Sequence, residues 1–333
     1  MIKNILYIGS QYEHSNKDKG DSLNKQAFYE IFLRTGYEVN PVWYDEDYSS
    51  LHNEIIQAAS HFKPDMIFFV LQRDQISKKT LRELQENGYF MVNFFGDDQW
   101  RFEDYSRHYA NFFNVCITTD KYSVNKYKAI GQKNIIRSQW ASLECDTHFK
   151  DVNYKYDVSF VGGSGPYRKW FVKELFKKGI IVNCFGDGWE NGRIEYTDMQ
   201  NIFNFSKINL NISNSTQYDA RYLISNPRNI LNTIRSLKNV SQTKARIFEI
   251  PVFGGFELTE YVPSLEDYFD IGKEIACYKD VDEACLLINY YLQNSEEREL
   301  IKTRGVERSR KDHTFKNRVS DFMRLIEVIY DKF

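Results

Sequence analysis

The feature of this 333-residue sequence that most constrains its fold is a regular alternation of short apolar runs with amphipathic segments. The runs are rich in β-branched and aromatic residues, which favours buried strands, and the segments between them have helical periodicity. Repeated strand-helix units predict a parallel sheet that is covered on both faces and joined by right-handed crossovers. In the first half of the chain, the predicted strands are 4–8, 38–44, 66–71, 90–95, 114–118 and 134–138.

The alternation stops in the polar and aromatic stretch 140–156 and then resumes, which predicts a linker and a second domain. A chain of this length is expected to hold two domains. We therefore expect an N-terminal domain at 1–145, a second domain at 146–312, and a last helix within 313–333 that packs back towards the first domain. Strands in the second half are predicted at 157–161, 180–185, 208–212, 256–259 and 274–278.

Composition excludes several classes of protein. The net charge is −2 and no long Lys/Arg run is present, so nucleic acid is not expected to be the main partner. The five cysteines show neither a Cys-x-x-Cys pair nor zinc-site spacing, which indicates reduced thiols in a reducing compartment. No apolar stretch approaches the roughly 20 residues of a membrane span, and the N-terminus lacks a signal-peptide pattern. We expect a cytoplasmic protein, with a peripheral membrane contact left open.

A Gly-rich turn, Val161-Gly162-Gly163-Ser164-Gly165, follows a predicted strand and precedes a predicted helix. Ligands of parallel sheets bind beyond the carboxyl ends of the strands. Gly162 and Gly163 would let a phosphate approach the backbone at the helix N-terminus, with Arg168 in the first turn. The alternative is a tight turn that binds no ligand. Taken by itself, the Gly-rich turn favours this alternative.

The segment 241–260 carries the richest pattern. Ser241 and Thr243 suit the N-cap of a helix that would end at Gly254-Gly255. Lys244 and Arg246 would then stand at the positive end of that helix, where a bound anion would explain them. Glu249 would reach ribose hydroxyls; the alternative is an ordinary Arg/Glu pair at i and i+3 on a surface helix.

The same segment resembles the CgeB-like glycosyltransferases, a GT-B group named after a spore-surface protein. The resemblance rests on Arg246-Ile247-Phe248-Glu249-Ile250-Pro251, Gly254-Gly255-Phe256 and Leu258-Thr259-Glu260, and it continues through 272–275, 281–292, 296–298 and 313–314. Phe94-Phe95-Gly96-Asp97-Asp98 matches it in the N-terminal half. It implies an α/β, GT-B-like fold of two Rossmann-like domains whose parallel sheets face a central cleft. A nucleotide sugar would bind the C-terminal domain, and the acceptor would bind the N-terminal one.

Related GT-B enzymes carry a Glu, seven residues, Glu pattern whose second Glu holds the ribose, and the resemblance places Glu249 there. Ser241 then stands where the first Glu would be. Because that Glu is missing, the resemblance predicts neither the donor-sugar contacts nor the stereochemistry of transfer. Glu257 has the same spacing from Glu249 but is predicted to be a strand residue, which makes that match a coincidence.

Asp97 and Asp98 follow a predicted strand and are candidates for the acceptor side. Asp98, and less so Asp97, would accept the proton of an acceptor hydroxyl or hold a sugar hydroxyl; turn-forming carboxylates are the alternative. Tyr196 is a candidate for stacking on the base. No metal is expected, because no Asp-x-Asp motif of the kind that carries a divalent metal in GT-A enzymes follows a nucleotide-binding strand. Lys244, Arg246, Arg168 and a helix dipole would instead neutralise the leaving diphosphate.

These observations predict a glycosyltransferase that moves a sugar from a nucleotide-sugar donor to an unidentified acceptor without a metal or another cofactor. Two rivals stay open: a nucleotide-sugar epimerase on the same fold, and a non-catalytic sugar-binding or surface-assembly protein. The polar stretch 214–240 shows no clear periodicity, and it is either a specificity loop or an oligomer contact.

Overall fold

The computed structural model describes residues 1–45, 50–71, 73–145, 153–215, 217–238 and 240–333. The chain divides into two compact units. Unit 1 comprises Met1–Leu143 together with Phe315–Phe333, and unit 2 comprises Glu144–Thr314. The C-terminal segment thus belongs to the same unit as the first 143 residues.

Unit 1 is built on a six-stranded parallel sheet with strand order β2-β1-β3-β4-β5-β6. Every strand predicted in this half of the chain is present. The strands are β1 (Asn4–Gly9), β2 (Glu38–Trp43), β3 (Met66–Phe69), β4 (Met91–Phe95), β5 (Val115–Thr118) and β6 (Ile135–Arg137). The helices are α1 (Glu30–Arg34, preceded by a π-helical turn Lys25–Tyr29), α2 (Leu51–Phe62), α3 (Lys78–Glu86), α4 (Asp98–Arg101), α5 (Arg107–Tyr109), α6 (Ser123–Ala129) and α14 (Phe315–Tyr330).

The two faces of this sheet are covered by separate apolar clusters. Successive strand residues point to opposite faces, so Tyr7 and Phe68 enter one cluster while Ile8 and Phe69 enter the other. Helix α14 supplies Phe322 to the first cluster, where its ring stacks on Phe68 with centroids 5.8 Å apart. Burial on both faces explains why these strands read as continuous apolar runs.

Unit 2 is built on a five-stranded parallel sheet with strand order β11-β10-β9-β7-β8. Its strands are β7 (Tyr156–Val161), β8 (Asn183–Phe185), β9 (Ser206–Asn211), β10 (Glu257–Glu260) and β11 (Ala276–Tyr278). Its helices are α7 (Pro166–Lys177), α8 (Tyr196–Asn204), α9 (Ala220–Ser225), α10 (Pro227–Arg235), α11 (Arg246–Val252), α12 (Val281–Gln293) and α13 (Ser295–Asp312). Although 214–240 shows no clear periodicity, α9 and α10 lie within it.

Both sheets reverse their winding direction once, and the reversal marks where a ligand site is expected. In unit 1, the chain proceeds from β1 outward to β2 and then returns to β3 on the other side of β1. In unit 2, it proceeds from β7 to β8 and returns to β9 on the other side of β7. The loops after β7 and β9 therefore diverge at the topological switch point of unit 2.

All five cysteines are free thiols, as the sequence predicts. Within the described ranges, no helix is both long enough and apolar enough to cross a membrane.

Candidate functional site

Arg168 connects the two loops that diverge at the switch point of unit 2. It lies in the first turn of α7, and its Nη1 donates to the carbonyl oxygen of Gly163, 3.0 Å away, in the loop after β7. Its Nε and Nη2 donate to the carbonyl oxygen of Ile212, at 3.0 and 2.8 Å, just after β9. Burial, and next the charge of Arg246, lowers the pKa of Arg168 to about 10. Two guanidinium groups thus lie close enough to repel each other, an arrangement that a bound anion would relieve.

A cavity of about 270 Å³ opens beside Arg168. Its wall includes the first residues of α7, where the amide N–H groups of Tyr167 and Arg168 have no acceptor within the helix. The loop after β9 and one side of α10 complete it, so it joins an anion-favouring helix start to a polar wall. The lining residues are Gly165, Pro166, Tyr167, Arg168, Ser213, Asn214, Ser215, Gln217, Tyr222, Asn232, Thr233 and Ser236.

The Gly-rich turn lies at this site, but Gly162 does not offer its backbone to a phosphate. Its N–H donates to the carbonyl of Phe185, and its own carbonyl accepts from the indole N–H of Trp189 at 2.8 Å. A Cβ at Gly162 would approach the Phe160 ring at 3.0 Å and Arg168 Nη1 at 3.3 Å. These contacts favour a packing role for Gly162, whereas its contact with a phosphate stays a prediction. Gly163, whose Cβ position meets no atom within 4 Å, borders open space.

Helix α11 begins at Arg246, later than the predicted caps imply. Neither Ser241 nor Thr243 caps it: the Ser241 hydroxyl is 2.7 Å from that of Ser215, and Ala245 already has helical backbone angles. Lys244 precedes the helix and is half-buried. The helix ends at Val252 before Gly254, as predicted, and Gly254 adopts φ +83°.

Arg246 and Glu249 form a buried ion pair in the first turn of α11. Arg246 Nη1 lies 2.9 Å from Glu249 Oε2, and the Glu249 side chain is only 7% exposed. Arg246 also lies over the Phe203 ring and contacts the Met199 sulfur. The i, i+3 spacing is that of an ordinary Arg/Glu pair on a surface helix. The Glu249 side chain is buried, however, which such a surface pair would not be.

Three buried hydroxyls of unit 2 lack a hydrogen-bond partner among the described residues: Tyr196 Oη, Thr243 Oγ1 and Ser309 Oγ. Burial raises the pKa of Tyr196, and the charge of Glu249 adds to that shift, which locates the phenol near the ion pair. The Tyr196 ring packs edge-on against Phe253 at 5.7 Å. Because a buried hydroxyl without a partner costs free energy, Tyr196 is better suited to a hydrogen bond with a ligand than to stacking on a base.

Sequence reasoning gave no role to several polar residues at the ends of β9 and β10. Glu260 accepts from the Ser213 N–H at 3.0 Å and from Gln217 Nε2 at 2.8 Å, and it fixes the loop that walls the cavity. A chain of hydroxyls runs from Ser213 through Ser215 to Ser241. Their positions directly after predicted strands are the signal that could have identified Ser213 and Glu260.

Glu257 is a strand residue in β10, as predicted. It is buried, accepts from Asn211 Nδ2 at 3.0 Å, and burial raises its pKa well above the usual range. Burial thus favours the neutral form of this carboxyl, and its hydrogen bond joins β10 to the end of β9. We therefore assign Glu257 a structural role in the sheet.

In unit 1, the structure reverses the expected ranking of the two aspartates. Asp98 is fully buried, and its Oδ2 accepts from Thr118 Oγ1 at 2.6 Å and from Tyr127 Oη at 2.9 Å. An acceptor hydroxyl cannot reach this carboxylate unless the packing opens. The burial of Asp98 and its hydrogen bonds therefore disfavour the predicted role as general base, which stays a prediction.

Asp97 is the half-exposed member of the pair. It lies directly after β4 and lines a cavity of about 30 Å³ with Leu71, Gly96 and Trp140. That volume suits a water molecule or two but not a sugar ring. Of the two aspartates, Asp97 is thus the one that a ligand could contact.

Among the residues that the structure describes, no group of three or more His, Cys, Asp or Glu side chains is arranged to hold a metal ion.

Residues 168–324 match the model of a family described as "Glycosyl transferase-like". The match begins at Arg168 and includes the whole of α11. Over these residues, which make up just under half of the chain, the sequence is similar to that family. No curated protein sequence matches the chain.

Solved structures establish the fold as GT-B. A structure of Anabaena Alr3699/HepE in complex with UDP superposes with a TM-score of 0.64 at 10% identity, covering 98% of this chain and 100% of that one. Sucrose-phosphate synthase from Thermosynechococcus elongatus gives 0.64 at 8% identity, covering 99% and 100%. A putative UDP-N-acetylglucosamine 2-epimerase from Listeria monocytogenes gives 0.57 at 8% identity, covering 100% and 98%. At these identities the likeness is one of fold.

Proposed function

We propose that this protein is a glycosyltransferase of the CgeB-like group that transfers a sugar from a nucleotide-sugar donor to an acceptor hydroxyl. In this reaction the bond from the anomeric carbon to the diphosphate oxygen breaks, and a bond from that carbon to the acceptor oxygen forms. The acceptor proton is released, and the nucleoside diphosphate leaves.

One observation carries the proposal: the cavity of unit 2 lies at the switch point, at the start of α7 and beside the half-buried Arg168. Open parallel sheets bind their ligands there. Arg168 and Arg246 supply positive charge on the same side of the sheet, which suits the two phosphates of a nucleoside diphosphate.

The leaving diphosphate would be stabilised by this chain's own groups. The amides at the N-terminus of α7 and the guanidinium groups of Arg168 and Arg246 are fixed before the reaction, so they need little reorganisation as negative charge develops. Metal-independent transfer follows as part of the proposal. We therefore expect a chelator to leave the affinity for the nucleoside diphosphate unchanged.

Glu249 is proposed to hold the ribose. A carboxylate has about four lone-pair positions, so the ion pair with Arg246 leaves capacity for ribose hydroxyls. The ion pair with Arg246 also orients the carboxylate. The buried Tyr196 hydroxyl, near the same pair, supplies a further donor.

The first experiment measures nucleoside diphosphate binding by calorimetry. HepE has been solved with UDP, so UDP is the first ligand to test, followed by GDP, CDP and dTDP. Glu249→Gln should weaken binding by about 1.5–3 kcal/mol, the worth of hydrogen bonds to a charged group. The matched control is Glu174→Gln, which removes a carboxylate of α7 that pairs with Lys177; it should bind as wild type does.

A labelled donor then separates the proposal from its rivals. Transfer of label to an acceptor, or slow hydrolysis, supports a transferase. Conversion of a UDP-sugar to its epimer without release of UDP would instead support the epimerase, whose fold is also shared. Failure of the folded wild type to bind any of the four diphosphates would refute the proposal.

A further inference from the structure

Residues 217–238, here called the arm, contain α9 and α10 and present an inverted amphipathic helix. Helix α10 directs polar side chains towards the protein: Asn229 is 7% exposed and donates to the Tyr222 carbonyl at 2.9 Å and to Ser225 Oγ at 3.1 Å. A surface helix normally buries its apolar face instead. The inversion therefore needs an explanation outside the packing of unit 2.

The outward side of α10 and the residues after it form an apolar stripe. Ile234 is 76% exposed, Leu237 is 60% exposed, and Ile230 and Leu231 are each 45% exposed. Their spacing of three, four and seven residues places them on one side of the helix. Leaving four large aliphatic side chains in water costs free energy that contact with another surface would recover.

The cavity explains why the helix is turned this way. Asn232, Thr233 and Ser236 line the cavity beside Arg168, so the polar side of α10 is the wall of a ligand site. Because the polar side of α10 faces the cavity, its apolar side faces the outer surface. Helix α10 thus separates the cavity from the surface that carries the stripe.

The charge of the arm indicates what covers the stripe. The arm has four cations and one carboxylate, in a chain whose net charge is −2. The carboxylate, Asp219, is bonded to Arg221. Arg228 and Arg235, seven residues apart, lie beside the stripe on the helix, and the described residues place no carboxylate within ion-pair distance of either.

We propose that the arm docks on an anionic lipid surface, with the stripe inserted among the acyl chains and Arg228 and Arg235 at the headgroups. Apolar residues flanked by Arg on a short helix are typical of an interfacial membrane contact. Each basic residue near an anionic surface contributes favourably to binding. A second copy docking through the same face would place Arg228 and Arg235 of both copies in one interface, and the repulsion among these like charges opposes self-association.

Docking in this way brings the cavity wall to the membrane surface, where a lipid-linked acceptor would be found. The lipid contact itself does not depend on the proposed glycosyl transfer. The two can therefore fail separately, since one is measured with vesicles and the other with nucleoside diphosphates.

The test is co-sedimentation of the full-length protein with vesicles. We expect binding to vesicles of phosphatidylcholine mixed with phosphatidylglycerol, weaker binding to phosphatidylcholine alone, and a loss of binding as salt screens the charges. Arg228→Gln combined with Arg235→Gln should lower the partition coefficient about thirtyfold. Ile234→Ser combined with Leu237→Ser should lower it at least about tenfold.

Matched controls are Lys173→Gln, an exposed cation of α7, and Leu286→Ser, a side chain of α12 that is 70% exposed. Both should bind vesicles as wild type does, and all variants should keep the wild-type affinity for UDP. Equal binding of the arm variants and the controls would overturn the proposal. So would wild-type protein that ignores anionic vesicles but forms a dimer by light scattering that Ile234→Ser abolishes, because the stripe would then cover a second copy.

Discussion

At the scale of single residues, burial decides what a carboxylate can do. Asp98 and Asp97 are adjacent in sequence, yet one is in the core and the other lines a cavity. Burial raises the pKa of Asp98 to about 7, and the hydroxyls of Thr118 and Tyr127 only partly oppose that shift. Its protonation therefore affects the stability of unit 1 near neutral pH.

The sign of this effect follows from the raised pKa. Below about pH 4, Asp98 is protonated in both the folded and the unfolded chain. As the pH rises towards 7, the unfolded chain releases this proton first, so the folded state loses stability over that range. Between pH 5 and pH 8, the loss from this one group should be about 2–3 kcal/mol.

We predict that Asp98→Asn removes this part of the pH dependence. The measurement is urea unfolding of wild type and variant at pH 5 and pH 8, compared as a difference of differences so that other titrating groups cancel. Asp104→Asn, an exposed aspartate a few residues away, is the control and should keep the wild-type dependence. An equal pH dependence in wild type and Asp98→Asn would show that the buried carboxyl is already ionised in the folded protein at pH 5, which contradicts the raised pKa.

At the scale of elements, the loop after β8 fixes the Gly-rich turn after β7. Gly186 adopts φ +126°, and a Cβ there would lie 2.5 Å from the carbonyl oxygen of Gly162. A side chain at Gly186 would therefore both strain the backbone and overlap the Gly162 carbonyl. The indole N–H of Trp189 donates to that carbonyl, which restricts its movement away from the overlap. The turn is thus a packed junction between two loops.

We predict that Gly186→Ala destabilises unit 2 by about 2–4 kcal/mol. Gly163→Ala is the matched control: its Cβ would meet no atom within 4 Å, and its backbone is not left-handed, so stability should change by less than about 0.5 kcal/mol. Thermal unfolding of both variants measures the contrast. A Gly186→Ala protein as stable as the Gly163→Ala protein would show that the two loops are not tightly packed.

The sequence predicted the strands well because their signal is local. Apolar runs bounded by turn residues specify buried strands without knowledge of their neighbours, and every predicted strand is present. The roles of Gly162 and Asp98 depend on partners far along the chain, Phe185 and Tyr127, which a linear pattern does not reveal. The arm was not predicted as helical for another reason: α10 has its polar side inward, opposite to the usual pattern.

At the scale of the whole molecule, each unit has its own apolar clusters and its own sheet. The cluster that covers one face of the unit 1 sheet combines strand residues with residues from the end of the chain. Phe322 of α14 is 1% exposed and packs on Phe68 and Phe28. Unit 1 is therefore complete only when the first 143 residues and the last 19 are folded together.

This arrangement predicts two separable unfolding transitions, which Phe322→Ala should distinguish. Loss of the buried ring should lower the stability of unit 1 by about 3–5 kcal/mol, whereas unit 2 lacks this contact and should unfold as before. Leu325→Ala on the same helix is the control, because Leu325 is 53% exposed and its loss should have little effect. In differential scanning calorimetry, Phe322→Ala should shift one transition downward, and UDP should raise the other. If Phe322→Ala shifts both transitions equally, the two units unfold together. If UDP raises the transition that Phe322→Ala lowers, the nucleotide binds unit 1.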